Sequence, residues 1–390
     1  MKRILLFILF IINIIYVFSC TWWKKVETES ALPDWALGGF VRPEGKNPII
    51  SPDINAKFYC PMTGDSIEWE SNDTFNPGAT VYDGKIVVLY RAEDKSGEGI
   101  GGRTSRLGYA SSADGIAFER KSVPSFYPSD DSQKELEWPG GCEDPRIAAT
   151  EDGTYVLLYT QWNRKVPRLA VATTKDFINW KKQGPAFAKA YQGKFFDEPT
   201  KSASVITKIV GGKQVVAKIN GKYWMYWGEK KVYAAISDDL INWEPLVTET
   251  GEPKALFEPR KGYFDSDLTE CGPPAVLTDK GIVLLYNGKN AAGENRDTCY
   301  TANAYCAGQA LFAANDPAKF ITRLDKPFLR PMDDFEKSGQ YPAGTVFVEG
   351  LVYFRNKWYL YYGCADSRVA VAIYDPSNPA LPDPSPCRVK

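Results

Sequence analysis

The chain has no histidine in its 390 residues. That removes Ser-His-Asp and Cys-His nucleophilic catalysis, and most zinc chemistry, from consideration. No Cys-x-x-Cys pair and no zinc-type cysteine spacing occurs. Net charge is nearly absent too, with 47 Lys and Arg against 48 Asp and Glu. Neither a nucleic acid nor an anionic membrane surface is therefore favoured as a partner. Convincing helical periodicity is missing after the first twenty residues. Whatever chemistry the chain performs must use carboxylates, Lys, Tyr or Arg, and no metal or organic cofactor is implied.

The N-terminus reads as an export signal. Met1-Lys2-Arg3 is basic, Ile4 to Phe18 is an apolar run broken by Asn13, and Ser19-Cys20 closes it. Cysteine directly after a small residue suggests a lipoprotein anchored at Cys20, in the periplasm or at the outer membrane; ordinary cleavage without lipid is the alternative. Beyond Cys20 stand Cys60, Cys142, Cys271, Cys299, Cys306, Cys364 and Cys387. Export permits disulfides, and Cys299 and Cys306 are the pair nearest in sequence. The expected organisation is a signal over 1–20, an N-terminal arm over 21–60, one catalytic domain over 61–375 and a Pro-rich tail over 376–390.

Abundant aromatic residues are organised into five similar copies. Each has a short opening strand, an aromatic-rich strand, a small-residue strand and a polar turn. The opening strands begin near Asn76, Asp144, Ser202, Cys271 and Thr345, and the aromatic strands end at Tyr90, Tyr159, Trp227, Tyr286 and Tyr362. Short strands recurring at this period predict an all-β, five-bladed β-propeller, with a pair of β-sandwiches as the competing arrangement. The segment between Trp22 and Phe58 would supply a closing strand.

In such a fold the innermost strands converge on one axial pocket. Polar residues at matching points of the copies are then the candidates: Asn76, Asp144, Lys201, Ser202 and Glu270, with Arg91, Glu93, Asp94, Asn163, Glu229, Asn287 and Asp366 at the ends of second strands. Carboxylates dominate this set. Glycoside cleavage needs one carboxylic acid to protonate the leaving oxygen and one carboxylate to activate water or attack. Glu143-Asp144-Pro145-Arg146 stands out, although Asp before Pro also starts ordinary turns. As a general acid Asp144 would have to keep its proton, with burial outweighing Arg146.

These pieces resemble glycoside hydrolase family 130, the β-mannoside phosphorylases and β-1,2-mannosidases, which are five-bladed propellers. The resemblance rests on Asn76-Pro77-Gly78-Ala79, Tyr90-Arg91-Ala92-Glu93-Asp94, Leu107-Gly108-Tyr109-Ala110 with Asp114-Gly115, Glu143-Asp144-Pro145-Arg146, Pro167-Arg168, Gly272-Pro273-Pro274 and Tyr361-Tyr362-Gly363-Cys364-Ala365-Asp366. It implies that Asp144 is the general acid, acting through a hydroxyl of the mannose. It also implies that Asn76, Arg91, Asp114 and Asp366 grip the cleaved sugar, with Arg146, Arg168 and Lys201 basic residues nearby. Phosphorolytic members carry a histidine in a Tyr-His-Gly stretch that reads Tyr286-Asn287-Gly288 here. Hydrolytic members pair glutamates as the base, which implies that role for Glu229 and Glu270. The resulting expectation is an inverting, exo-acting β-1,2-mannosidase acting on β-mannoside oligosaccharides. A phosphorylase making mannose 1-phosphate, or a non-catalytic glycan-binding lipoprotein, are the alternatives.

Overall fold

The computed structural model describes residues 32–380. The expected signal, the lipid site expected at Cys20 and the end of the tail lie outside the described residues. Among those residues no helix is long and apolar enough to cross a membrane.

The fold is all-β. Strands rich in Val, Ile, Tyr and Trp follow one another as antiparallel meanders, in five modules. The first comprises Asp73–Tyr82, Lys85–Glu93, Ser105–Ser112 and the short Glu119–Arg120. The second comprises Gly141–Ala149, Tyr155–Trp162, Pro167–Thr174 and Lys181–Pro185. The third pairs Ala203–Val210 with Lys222–Trp227, then Tyr233–Ser237 and Trp243–Pro245. In the fourth the opening strand is split into Leu268–Cys271 and Ala275–Leu277 by Gly272-Pro273-Pro274, because two prolines supply no ladder donors. Ile282–Lys289, Tyr305–Ala313 and Asp316–Arg323 complete it. The fifth is Val346–Phe354, Lys357–Cys364 and Arg368–Tyr374. The N-terminal arm runs beside the last of these strands, through bridges from Val41 to Ile373 and from Ile50 to Val369.

Apolar residues fill the spaces between modules in five clusters. Leu89 and Leu107 of the first module meet Leu157 and Tyr159 of the second. Leu158 and Val171 meet Met225 and Trp227, Ile206 and Tyr226 meet Leu284 and Phe312, and Val283 and Leu285 meet Val348 and Leu360. The fifth cluster joins Val352 and Tyr361 back to Ile86 and Val88 of the first module. Each module thus buries both faces, which a single small sheet could not do alone. The opening strands touch backbone to backbone. A Cβ on Gly78 would lie 2.4 Å from the carbonyl oxygen of Pro145, and one on Gly350 2.8 Å from that of Pro77. Only glycine allows that approach.

A second repeated device uses buried acids. Tyr90 donates to Glu70 at 2.8 Å, Tyr159 to Glu137 at 2.7 Å, Tyr286 to Asp265 at 2.7 Å and Tyr362 to Glu336 at 2.8 Å. Each acid also holds a cation: Arg120, Lys182, Arg260 and Arg42 respectively. Cys299 is disulfide-bonded, whereas Cys306 is a buried free thiol, so these neighbours in sequence do not pair.

Candidate active site

Three opening strands are bulged at matching places. The ladder register shifts between Phe75 and Pro77, between Glu143 and Arg146, and between Val348 and Gly350. Pro77 and Pro145 cannot donate to the ladder, and the residue before each leaves the regular pleat. Asn76 sits at φ 46°, Asp144 at φ 50°, and Ser202 of the third module at φ 57°. A bulge re-aims a side chain, and these bulges bring Asn76 and Asp144 together. Asn76 Nδ2 donates to Asp144 Oδ1 at 2.9 Å, and the buried Oδ1 of Asn76 has no partner.

Arg91 organises the cluster. Its guanidinium lies 2.6 Å from Glu93, 2.9 Å from Glu143 and 3.1 Å from Asp144, and all four residues are buried. Lys201 Nζ lies 3.5 Å from the other oxygen of Asp144 and also feels Glu270 and Glu229. Glu270 is buried and accepts a hydrogen bond from Ser202. Glu229, after the turn residue Gly228 at φ 118°, is exposed. Asp366 follows Ala365 in a turn where both have left-handed φ, and burial raises its carboxyl to about 7 despite Arg91.

The charges decide which groups hold protons. Burial pushes Asp144 up, but Arg91, Lys201, Arg146 and the Asn76 amide together pull it well below the usual carboxylate range. The expectation that burial would win at Asp144 is therefore corrected: in this cluster it is an anion. Its neighbour Glu143 takes the opposite course. Burial, with the adjacent Asp144 charge, raises it to about 7 against Arg91. Burial likewise raises Glu270 to about 7, helped by Glu229 and opposed by Lys201.

Four expected substrate contacts are occupied elsewhere. Asp114 is exposed and caps its own turn, accepting from the backbone of Ile116 and Ala117 at 2.9 Å each. Asp176 and Asp239 make the same turn in the next two modules, so Asp114 is a repeated turn former. Asn287 staples the fourth module to the fifth, donating to Val348 O at 3.1 Å and accepting from Val348 N at 2.7 Å. Arg168 is bound to Asp197 and to the carbonyl of Phe196. Arg146 donates to the carbonyls of Asp144, Cys271 and Gly272 and sits 2.9 Å from Glu349. It shapes the backbone under Asp144, with three of its five N–H hydrogens given to carbonyls. Asn163 also turns away, donating to the carbonyl of Glu135 at 3.0 Å.

Glu349 was not among the expected residues. It is fully buried at the bulge of the fifth module, the slot that Asn76 and Asp144 fill in the first two. Aligning the five copies by that slot would have found it. A cavity of about 630 Å³ lies at the other end of the opening strands, lined by Thr80, Ala149, Thr207 and Tyr353 among others. None of the clustered carboxylates lines it, so the chemistry is assigned to the cluster. No group of metal-ligating side chains occurs among the described residues.

The site combines a buried anionic carboxylate, three carboxyls raised to about 7 and the unpartnered amide oxygen of Asn76, the kinds of group that cleavage of a glycosidic bond uses. The comparisons specify the family. Residues 51–377 match the glycoside hydrolase family 130 profile, described as β-1,4-mannooligosaccharide phosphorylase, and the chain belongs to that family. A 1,2-β-oligomannan phosphorylase of Thermoanaerobacter sp. is 34% identical over 79% of this chain and 92% of its own length. One solved structure is 67% identical, with a TM-score of 0.91, over 92% of this chain and all of that one; its description reads "The GH130 family of mannoside phosphorylases contains glycoside hydrolases that target beta-1,2 mannosidic linkages in Candida mannan". A glycosyl hydrolase from Bacteroides ovatus is 69% identical, with a TM-score of 0.90, over 92% of this chain and 99% of that one.

Proposed function

We propose that the chain is an inverting, exo-acting β-1,2-mannosidase, folded as a five-bladed β-propeller. The propeller reading is supported by the five inter-module cores, the last joining the fifth module to the first. The observation that carries hydrolysis is acidic: Glu270, with Glu229 beside it, faces Lys201 across the site, and no histidine exists in the chain. Two like charges about 4 Å apart cost roughly 4 kcal/mol at an effective dielectric near 20. A phosphate dianion is poorly served there, whereas a water molecule has bases to take its proton. The β-1,2 linkage is taken from the Thermoanaerobacter relative and from the 67% identical structure.

In this reading Asn76 and Asp366 hold the terminal mannose. The Glu143–Asp144 pair keeps one proton up to about pH 7, because Arg91 can neutralise only part of their joint charge. That proton rests on Glu143, the raised member of the pair; it shifts to Asp144 as the bond breaks, and Asp144 passes it, by way of a mannose hydroxyl, to the departing oxygen. Glu270 takes a proton from water on the opposite ring face. An inverting enzyme needs about 6.5–9.5 Å between its two carboxyls, so that water fits. Export, with a lipid on Cys20 and residence in the periplasm or at the outer membrane, is part of the same proposal and rests on the basic start and the apolar run before Cys20.

A second reading is phosphorolysis, and the names of the curated relatives favour it. Its cations would have to be Lys201 and Arg168, which here are engaged with Asp144 and Asp197. The test is to incubate the mature chain with β-1,2-mannobiose, with and without phosphate, and to follow products by NMR. α-Mannose released at a rate indifferent to phosphate is expected. Mannose 1-phosphate, formed only when phosphate is added, would overturn hydrolysis in favour of the second reading.

A further inference from the structure

Tyr305 opens the strand Tyr305–Ala313 in the fourth module. The register Leu268↔Lys289↔Tyr305 lies two residues along from Glu270↔Asn287↔Ala307. Residues opposite one another, and two apart along a strand, share a sheet face. Tyr305 therefore stands on the same face as Glu270, two strands away. Its ring is fixed edge-on by Tyr341 at 5.4 Å and Phe347 at 5.7 Å. Tyr341 is tied in turn to the Asn303 carbonyl at 3.0 Å. The Tyr305 amide donates to Gly344 O at 3.0 Å, which locks the start of the strand.

The ring is held, and its hydroxyl has no hydrogen-bond partner among the described residues. Its electrostatic neighbours are Glu270, Tyr341, Asp366 and Glu229. Burial and these acidic neighbours raise its pKa, so the phenol keeps its proton. It is a neutral donor on the sheet face that carries Glu270.

A water that attacks carbon must have both hydrogens and one lone pair restrained, leaving the other lone pair for the bond being formed. Glu270 and Glu229 are acceptors and can hold only hydrogens. The remaining lone pair needs a donor. Lys201 is turned toward Asp144 at 3.5 Å, and the phenol is the neutral donor that shares a sheet face with Glu270. We infer that Tyr305 donates a hydrogen bond to the attacking water and fixes its orientation beside Glu270. This deepens the hydrolytic reading and rests on it.

Tyr305→Phe is the test, run on the mature chain with β-1,2-mannobiose, with and without phosphate. The ring and its packing survive the substitution, so Tm should hold. Loss of one neutral donor acting only on the nucleophile should lower kcat roughly tenfold or more and leave KM within about twofold. If the variant melts early, the kcat and KM split is read well below its Tm. An unchanged kcat overturns the inference, as does a raised KM with kcat intact, which would make Tyr305 a sugar contact. Phosphate dependence in the wild type is a separate failure: it removes the hydrolytic reading, and the water-holding role with it.

Discussion

The acids clamped by tyrosines and the acids around Arg91 and Lys201 are alike in burial and unlike in their supply of cations. Glu70, Glu137, Asp265 and Glu336 each have a tyrosine donor and a basic partner. Around the site one guanidinium serves Glu93, Glu143 and Asp144, and one ammonium faces Asp144, Glu143, Glu270 and Glu229. Burial raises Glu70 and Glu137 as well, so burial is not what separates the sets. Shared cations are: they cannot neutralise every neighbour, and protons are retained at Glu143 and Glu270 to about pH 7. A carboxyl that recurs in four of the five modules with its own partner is architecture. One that breaks the repeat and competes for charge is available for chemistry.

Exchanging one acid from each set sharpens this. Asp144→Asn keeps the shape and the contact with Asn76 but removes the proton carrier. General acid catalysis is worth about 10²–10⁴-fold, so kcat on mannobiose should fall by roughly 10³ while Tm changes little. Steady-state kinetics and a melting curve check both halves. Binding retained with no turnover in the wild type would point to a glycan-binding protein instead. Glu137→Gln should behave in the opposite way. It takes from the Lys182 ammonium its fully buried anion, beside Tyr159 and Gln161, and leaves it only the more exposed Asp131 at 3.0 Å. Breaking a buried pair costs about 3–5 kcal/mol. Chemical denaturation should register that loss, with kcat at low temperature within about twofold of wild type. A large kcat loss without destabilisation would merge the two sets.

The division also explains what could be read from sequence. The five copies and their turns were legible, because short strands and Gly and Asp turns are local signals. Asp144 was legible because Glu-Asp-Pro-Arg departs from the other copies. Asp114 was misplaced because a single Asp-Gly reads equally as a turn or a ligand. Its counterparts Asp176 and Asp239, making identical backbone bonds, identify it as a turn. Arg146, Arg168 and Asn287 look free in sequence, yet their partners are carbonyls or side chains brought close only by the fold, such as Cys271 and Val348. The protonation of Asp144 was illegible for the same reason. Arg91, which holds it down, is 53 residues away.

The smallest effect should come from Glu229, which lies on the border between the two sets: exposed, yet close enough to act on Glu270. Hydrolysis needs Glu270 ionised, so the rate should rise as pH passes about 7. It also needs a proton on the Glu143–Asp144 pair, so the rate should fall again as pH passes about 7 from below. The two limbs overlap, and kcat should follow a narrow bell centred near neutrality. Glu229→Gln deletes a negative charge whose effect is to hold the proton on Glu270. The folded pKa of Glu270 then falls, and the acidic limb moves to lower pH. A pair screened by water is worth less than about 1 kcal/mol, and 1.36 kcal/mol is about one unit, so the displacement should be roughly half a unit. The alkaline limb belongs to the other pair and should stay in place, leaving a bell widened on its acid side only. A pH profile in which both limbs move together would mean that Glu229 acts on the whole cluster. A profile in which neither moves, with kcat sharply reduced, would make Glu229 rather than Glu270 the base.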